Sequence, residues 1–402
     1  MLASNTKGNY HLLTKTDRLP WNNRLQPARS WNTKLELATL RKKAMAATHF
    51  INTLNPYLIG PSLNQRSAKS TRVLCIDGGG MRGVVPATIL AELEDLLIAQ
   101  TGNATTRLID YFDFFSGTST GGILTCLYLL PDPHHPTRPR YSAREVLDLY
   151  TQQGPLIFYR SLSRKITSLM GFTKDKFDSR QMTRMLRRFM GETPLSGLLK
   201  PCLIQAYDIS QQEPFYFNSL LAKQQDKSNY PVWQVAQATA SAPVYFEPMV
   251  VQAANGRRRT LIDGGIFANN PSLSAYHHLQ TTVTYNTPIT LLSLGTGCTA
   301  RPYQAQDFKA KGVLRCWKPL LHVLGTARKH STEQQVRTLL KQRSNQYYRL
   351  NPKLVGVNSD MDDTSPKQIA GLQQLGLDFA AGQSLLLQQI AQSIMITRVA
   401  AA

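Results

Sequence analysis

Short, wholly apolar runs that end in glycine-rich turns alternate along this chain with longer segments of helical period. Arg72-Val73-Leu74-Cys75-Ile76 is the first such run. It leads into Asp77-Gly78-Gly79-Gly80-Met81-Arg82-Gly83 and then a helix predicted from Val84 to Gln100, with Leu90, Leu93 and Leu97 on its inner face. Tyr111, Phe112 and Phe114 predict a second buried strand. Ser116-Gly117-Thr118-Ser119-Thr120-Gly121-Gly122 follows it, then a helix whose apolar face carries Ile123, Leu124, Leu127 and Tyr128. Leu203–Tyr207 and Phe215–Phe217 predict adjacent strands, and Val232–Ala242 a helix stopped by Pro243. Thr260–Ile262 predicts a strand entering Asp263-Gly264-Gly265, and Ile289–Leu294 a buried strand ending in Gly295-Thr296-Gly297. Tyr347–Leu350 is a late strand. Strands that alternate with helices imply a mostly parallel sheet covered on both faces.

Elsewhere the pattern marks out appendages. Residues 1–68 form a basic N-terminal extension with little periodicity except a helical stretch over Thr33–Leu54. The main domain spans 69–390, with a basic, helical C-terminal part over 309–402 in which Val336, Leu339 and Leu340 form an apolar stripe. Ser142 caps a helix to Gln153. Phe158, Leu162, Ile166 and Leu169, then Met182, Met185, Leu186 and Phe189, recur at helical spacing among Arg160, Arg164, Lys165, Arg180, Arg184, Arg187 and Arg188. Basic amphipathic helices are one form of membrane-surface contact; helices packed on the body with a solvated basic face are the plainer reading. Met361-Asp362-Asp363 precedes Ala- and Gln-rich helices.

Charge changes the picture more than composition does. The chain's 46 Lys and Arg against 25 Asp and Glu give a formal charge of +21, which favours anionic partners. No helix-turn-helix, zinc-finger spacing or RNA-binding signature accompanies it, so no nucleic-acid partner is expected. The five cysteines form no Cys-x-x-Cys pair, and Cys75, Cys126 and Cys202 sit in apolar runs as buried free thiols. That suits a reducing compartment, with a cytoplasmic or peripheral-membrane location. No run of about 18 apolar residues predicts a membrane span, and the N-terminus lacks a secretory h-region. Its basic, acid-poor character leaves room for a transit peptide or non-classical export. His134 and His135 stand in a Pro-rich loop without a second ligand cluster, so neither metal nor cofactor is expected.

The chemistry gathers at three strand ends. Gly117-Thr118-Ser119-Thr120-Gly121 matches Gly-x-Ser-x-Gly in the strand–turn–helix context of a nucleophile elbow, with the glycines at 117 and 121 allowing the sharp turn. The Gly78–Gly80 loop can aim successive N–H groups at one spot, and Arg82 adds a cation there. Asp263, held before Gly264 and Gly265, is the candidate base or orienter, able to take the Ser119 proton directly if water is excluded and burial raises its pKa. The loop at 77–83 is not a Walker A motif, because no Gly-Lys-Ser/Thr follows.

These three motifs, in this order, resemble the patatin-like phospholipase family. The resemblance rests on Asp77 through Gly83, Gly117 through Gly122, and Asp263-Gly264-Gly265 with Ala268-Asn269-Asn270-Pro271, and runs from Arg72 to Leu387. Ala236–Pro243, Gly295-Thr296-Gly297 and Met361-Asp362-Asp363 also look like the family. It implies a three-layer α/β/α sandwich and a Ser119–Asp263 dyad without a catalytic histidine. Gly78, Gly79, Gly80 and Arg82 carry over as the oxyanion loop, with Asp77, Gly83, Gly117, Gly121, Gly264 and Gly265 supporting the motifs. It implies metal-free hydrolysis of acyl esters in phospholipids or neutral lipids through an acyl-enzyme. An anionic membrane surface is the expected partner, and an activator protein is allowed for. Two other readings are kept. One is an α/β-hydrolase triad in which His277, His278 or His322 follows Ser119 and Asp263. The other is a basic nucleic-acid or membrane-binding module with a vestigial site.

Overall fold

The computed structural model describes residues 70–157, 177–282, 287–299, 304, 312–341 and 345–399. The expectations for 1–68 and for the Phe158–Leu169 pattern lie outside these residues. Strand β1 (Thr71–Ile76) is buried along its whole length. It pairs in parallel with β2 (Phe114–Thr118) on one side and β7 (Ile289–Leu294) on the other. β3 (Cys202–Asp208) and β9 (Gln346–Leu350) extend this parallel core outward. β4 (Glu213–Asn218) and β6 (Arg258–Asp263) join β3 antiparallel, and β5 (Met249–Gln252) pairs antiparallel with β6, so the eight-stranded sheet is mixed with a parallel centre. A two-stranded pair, β8 (Cys298–Thr299) with β10 (Lys353–Leu354), lies beside it.

Alternation along β1 explains the layering. Val73 and Cys75 point to one face and join Phe114, Leu203 and Leu291 against α6 (Ser272–Thr282) and the end of α7 (Gly312–Leu340). Leu74 and Ile76 point to the other face, where α1 (Val84–Thr101), α2 (Thr120–Leu129), α3 (Ala143–Ile157), α4 (Ser179–Met190), α5 (Val232–Thr239), α8 (Pro366–Gly382) and α9 (Ser384–Val399) supply the larger core. Helices on both faces make the expected three layers.

Several boundaries differ from the sequence reading for local reasons. β2 begins at Phe114, because Leu108–Asp110 forms a 3₁₀ turn that takes in the backbone of Tyr111 and Phe112. All ten residues of α2 are buried, so it is a central helix and not an amphipathic one. α5 stops at Thr239, short of Pro243, because the chain turns there and the Ser241 carbonyl accepts the Asp263 N–H. Ser142 does cap α3 through a reciprocal pair with Glu145, and the helix continues through Pro155 to Ile157. Leu339 is exposed, leaving Val336 and Leu340 as the buried stripe of α7. Cys75, Cys126 and Cys202 are buried free thiols. No helix among the described residues is long and apolar enough to cross a membrane.

Candidate active site

One edge of β3 is shared by two strands, and that sharing builds the site. β4 runs along Leu203–Asp208 on one edge. The opposite edge pairs in parallel with β2 only as far as Thr118↔Gln205, then antiparallel with β6 from Ala206↔Asp263 onward. β2 and β6 therefore meet tip to tip. Ser119 follows one tip and Asp263 ends the other.

Ser119 sits on a strained turn, at φ +56° and ψ −123°. Only over-determined surroundings hold a side-chain-bearing residue there, at a cost of about 1–3 kcal/mol. Its N–H donates to Thr239 Oγ1 (2.9 Å), and its carbonyl accepts from Ile123 N–H (3.0 Å). Gly117 lies against the Gly121 carbonyl and Gly121 against that of Ile76; a Cβ at either would collide with backbone, so no other residue lets the elbow close. Asp263 lies close enough to Ser119 for the serine hydroxyl to favour its ionised form, and Gly265 N–H donates to Asp263 Oδ1 at 2.7 Å. Asp263 is 5 % exposed, and burial outweighs both influences, pushing its pKa up to about 6.

The 77–83 loop lies over Ser119. Gly80 holds φ +58°, a left-handed conformation that glycine adopts without strain. The Gly78 N–H is already committed to the Asn269 carbonyl (3.0 Å), so Gly78 contributes close approach to Ser119 Cβ instead of a donor. Gly79 and Gly80 N–H have no acceptor among the described residues. The carbonyl of each of their peptide units is anchored. Gly78 O accepts from Thr296 Oγ1 (2.8 Å), Asn269 Nδ2 (3.4 Å) and Lys329 Nζ (3.5 Å). Gly79 O accepts from the backbone N–H and Nε of Arg82, both at 3.3 Å. Arg82 thus braces the loop through Gly79. Burial lowers its pKa to about 10. Gly80 O accepts from Thr120 Oγ1 and Tyr150 OH, and Met81 N–H donates to Met361 O. Gly83 packs against Thr120, and Gly264 against the Gln205 backbone.

Asp77, fully buried beneath the loop, is held by both terminal nitrogens of Arg349 (2.8 and 2.6 Å) and lies 3.5 Å from Lys329 Nζ. Sequence reasoning missed Arg349, Lys329, Thr239 and Tyr150 as site residues. Arg349 left one signal, a cation inside an otherwise apolar strand; the other three left none. His278 is fully buried with its ring 5.3 Å from that of Phe114, at the opposite end of β2 from the elbow. His322 lies outside the described side chains. No cluster able to hold a metal ion occurs among the described residues.

A strained serine turn, a buried carboxylate beside it and loop amides without an acceptor among the described residues, at the carboxyl ends of parallel strands, have the form of an acyl-transfer site. The patatin-like phospholipase model matches residues 74–276, and the chain belongs to that family, whose class is lipid acyl hydrolase. Patatin group J-1 of Solanum tuberosum is 31 % identical over 327 residues, covering 76 % of this chain and 82 % of the relative. A probable inactive patatin, 3-Kuras 1 of the same species, is 30 % identical over 328 residues, covering 76 % of this chain and 84 % of the relative. Human GIVD cytosolic phospholipase A2 superposes with a TM-score of 0.40 at 12 % identity, covering 84 % of this chain and 64 % of that one.

Proposed function

We propose that the chain is a serine-dependent, phospholipase A-type acyl hydrolase. The observation that carries this reading is Ser119 held on the strained tip of β2 beside the buried Asp263 carboxylate, with the glycine loop packed on it and its Gly79 and Gly80 N–H groups without an acceptor among the described residues. Asp263 takes the Ser119 proton as Oγ attacks the ester carbonyl carbon, and the developing oxyanion meets the Gly79 and Gly80 N–H groups. Collapse breaks the ester C–O bond. The departing alcohol takes the proton back from Asp263 and leaves an acyl-Ser119. Water then attacks the acyl carbon as Asp263 takes its proton, and Asp263 returns that proton to Ser119 Oγ as the acyl C–O bond breaks and fatty acid leaves. The triad reading has no support from His278, which faces Phe114. The test is fatty-acid release from phospholipid vesicles by wild type and Ser119→Ala, with chelator present. Release by wild type alone is expected; equal release by both overturns the reading.

The same reading places an anionic membrane against α4. Met182, Leu186 and Met190 bury one face of this helix, and Arg180, Arg184 and Arg188 line the opposite, exposed face at four-residue spacing. Arg180 pairs with Asp178, while Arg184 and Arg188 have no ion pair among the described residues. α4 starts just after Phe177, which packs on Tyr245, a residue within electrostatic reach of Arg82 in the loop. Phe177 N–H donates to the Tyr245 carbonyl (3.0 Å), and Phe177 stacks on the Tyr245 ring at 6.2 Å. The double change Arg184→Gln/Arg188→Gln is expected to weaken binding to anionic vesicles about 30-fold at low salt. Hydrolysis of a soluble short-chain ester should be unaltered. Co-sedimentation at two salt concentrations checks this, and unchanged vesicle binding would remove α4 from the lipid surface.

A further inference from the structure

We infer that Lys329 is a positioning residue for the oxyanion site, acting through the peptide unit that joins Gly78 to Gly79. The inference rests on the acyl-hydrolase reading above and adds to it a residue outside every motif of the sequence.

A trans peptide is planar, and its C=O and N–H point in opposite directions. Whatever fixes the Gly78 carbonyl therefore fixes the Gly79 N–H, an amide in the loop at Ser119 with no acceptor among the described residues. Three donors converge on that carbonyl: Thr296 Oγ1 at 2.8 Å, Asn269 Nδ2 at 3.4 Å and Lys329 Nζ at 3.5 Å. Lys329 is the cation of the three. A positive charge on the oxygen side of an amide draws electron density from its nitrogen side and strengthens the N–H as a donor. The effect is largest where water is scarce, and the Lys329 side chain is only 15 % exposed.

Lys329 also answers a problem that the loop creates for itself. Asp77 places a fully buried carboxylate two residues before the first of the amides that must receive an oxyanion. Unopposed, it would raise the energy of that second negative charge. Arg349 on β9 takes both carboxylate oxygens, and Lys329 on α7 lies 3.5 Å from Oδ2. Lys329 is thus the group that touches both the acid and the carbonyl. The charged groups around it are Asp77 after β1, Arg82 in the loop, Arg349 on β9 and Glu333 one turn further along α7; Glu333 lies 3.8 Å from Arg349 Nε. Burial, with Arg82 and Arg349 adding to it, outweighs the pull of Asp77 and lowers the Lys329 pKa to about 8. The positioning charge is therefore present at neutral pH and is lost in mildly alkaline solution.

The experiment is steady-state hydrolysis of a soluble short-chain ester, which does not require vesicle binding, as a function of pH. Wild type, Lys329→Met, Lys329→Arg and Ser119→Ala are compared. Wild type is expected to lose kcat with a midpoint near pH 8, while KM changes less than about twofold. Lys329→Met should lower kcat at pH 7 about tenfold and abolish the alkaline limb. That is less than the roughly 100- to 1000-fold for losing an oxyanion donor outright. Lys329→Arg should restore most of kcat and move the limb well above pH 8, since guanidinium stays charged. This arm holds even if the Met variant folds poorly, because it keeps the cation. Wild-type kcat and an unshifted alkaline limb in Lys329→Arg and Lys329→Met would overturn the inference. Loss of activity in Ser119→Ala alongside that result would leave the acyl-hydrolase reading standing, so the two fail separately.

Discussion

Ser119→Ala is expected to reduce fatty-acid release at least about 10⁴-fold, to the level of the uncatalysed background, with the fold retained. No other group near the elbow can replace its nucleophile. Thr120 Oγ1 is engaged with the Gly80 carbonyl and Tyr150, and Thr118 Oγ1 with Gln205 and the Ala268 carbonyl. Alanine keeps the Cβ, so the backbone strain at φ +56° is the same in both proteins and stability should differ little. What changes locally is Asp263, which loses the neighbouring Ser119 hydroxyl and keeps the Gly265 N–H. Release from mixed vesicles, read beside thermal melting, checks both parts. Wild-type release from a folded Ser119→Ala protein would refute the nucleophile assignment.

Asp263→Asn is expected to abolish catalysis nearly as completely while making the protein more stable at neutral pH. The carboxamide cannot accept the Ser119 proton, so a loss of about 10³- to 10⁴-fold follows from removing the base. The stability effect has the opposite sign. Burial raises the Asp263 pKa from its unfolded value near 3.8 to about 6. Between these values the native state binds more protons than the unfolded one, so stability from this group is fully present below pH 3.8 and is lost as pH rises through 6. Above pH 6 the buried anion costs on the order of 3 kcal/mol, and asparagine removes that cost. The variant should therefore melt higher than wild type at pH 7 and show no such advantage at pH 4. In wild type, kcat/KM for a soluble ester should rise with pH through a midpoint near 6, as the base ionises. A flat profile from pH 5 to 7, or a variant that melts lower at pH 7, would contradict a buried carboxylate acting as base.

Much of the site was legible because its constraints are local. Gly117 and Gly121 answer to a turn that only glycine permits, and Gly80 to a left-handed backbone, so both motifs stand out in the chain as written. The strands around β1 were legible for the same reason: a segment buried on both faces has no polar alternation to conceal it. Arg82 shows the limit. Its position beside the glycines was evident, but whether it faces substrate or braces Gly79 depends on which acceptor the fold offers, and the fold offers the Gly79 carbonyl.

By itself the sequence determined the strand–turn–helix units, the burial of the parallel strands and the family of the chain. Those features are set by neighbours in the chain, through periodicity and backbone sterics. Only the tertiary structure decided that Asp263 stands at Ser119. Asp263 arrives on an antiparallel strand, whose carboxyl end would lie at the far end of the sheet were β6 not displaced along β3 to meet β2 tip to tip. It likewise decided that Lys329 and Arg349, more than 250 residues further on, neutralise Asp77 beneath the loop. An ion pair or a proton's route depends on distance in space, and pairing register fixes that distance where local pattern cannot.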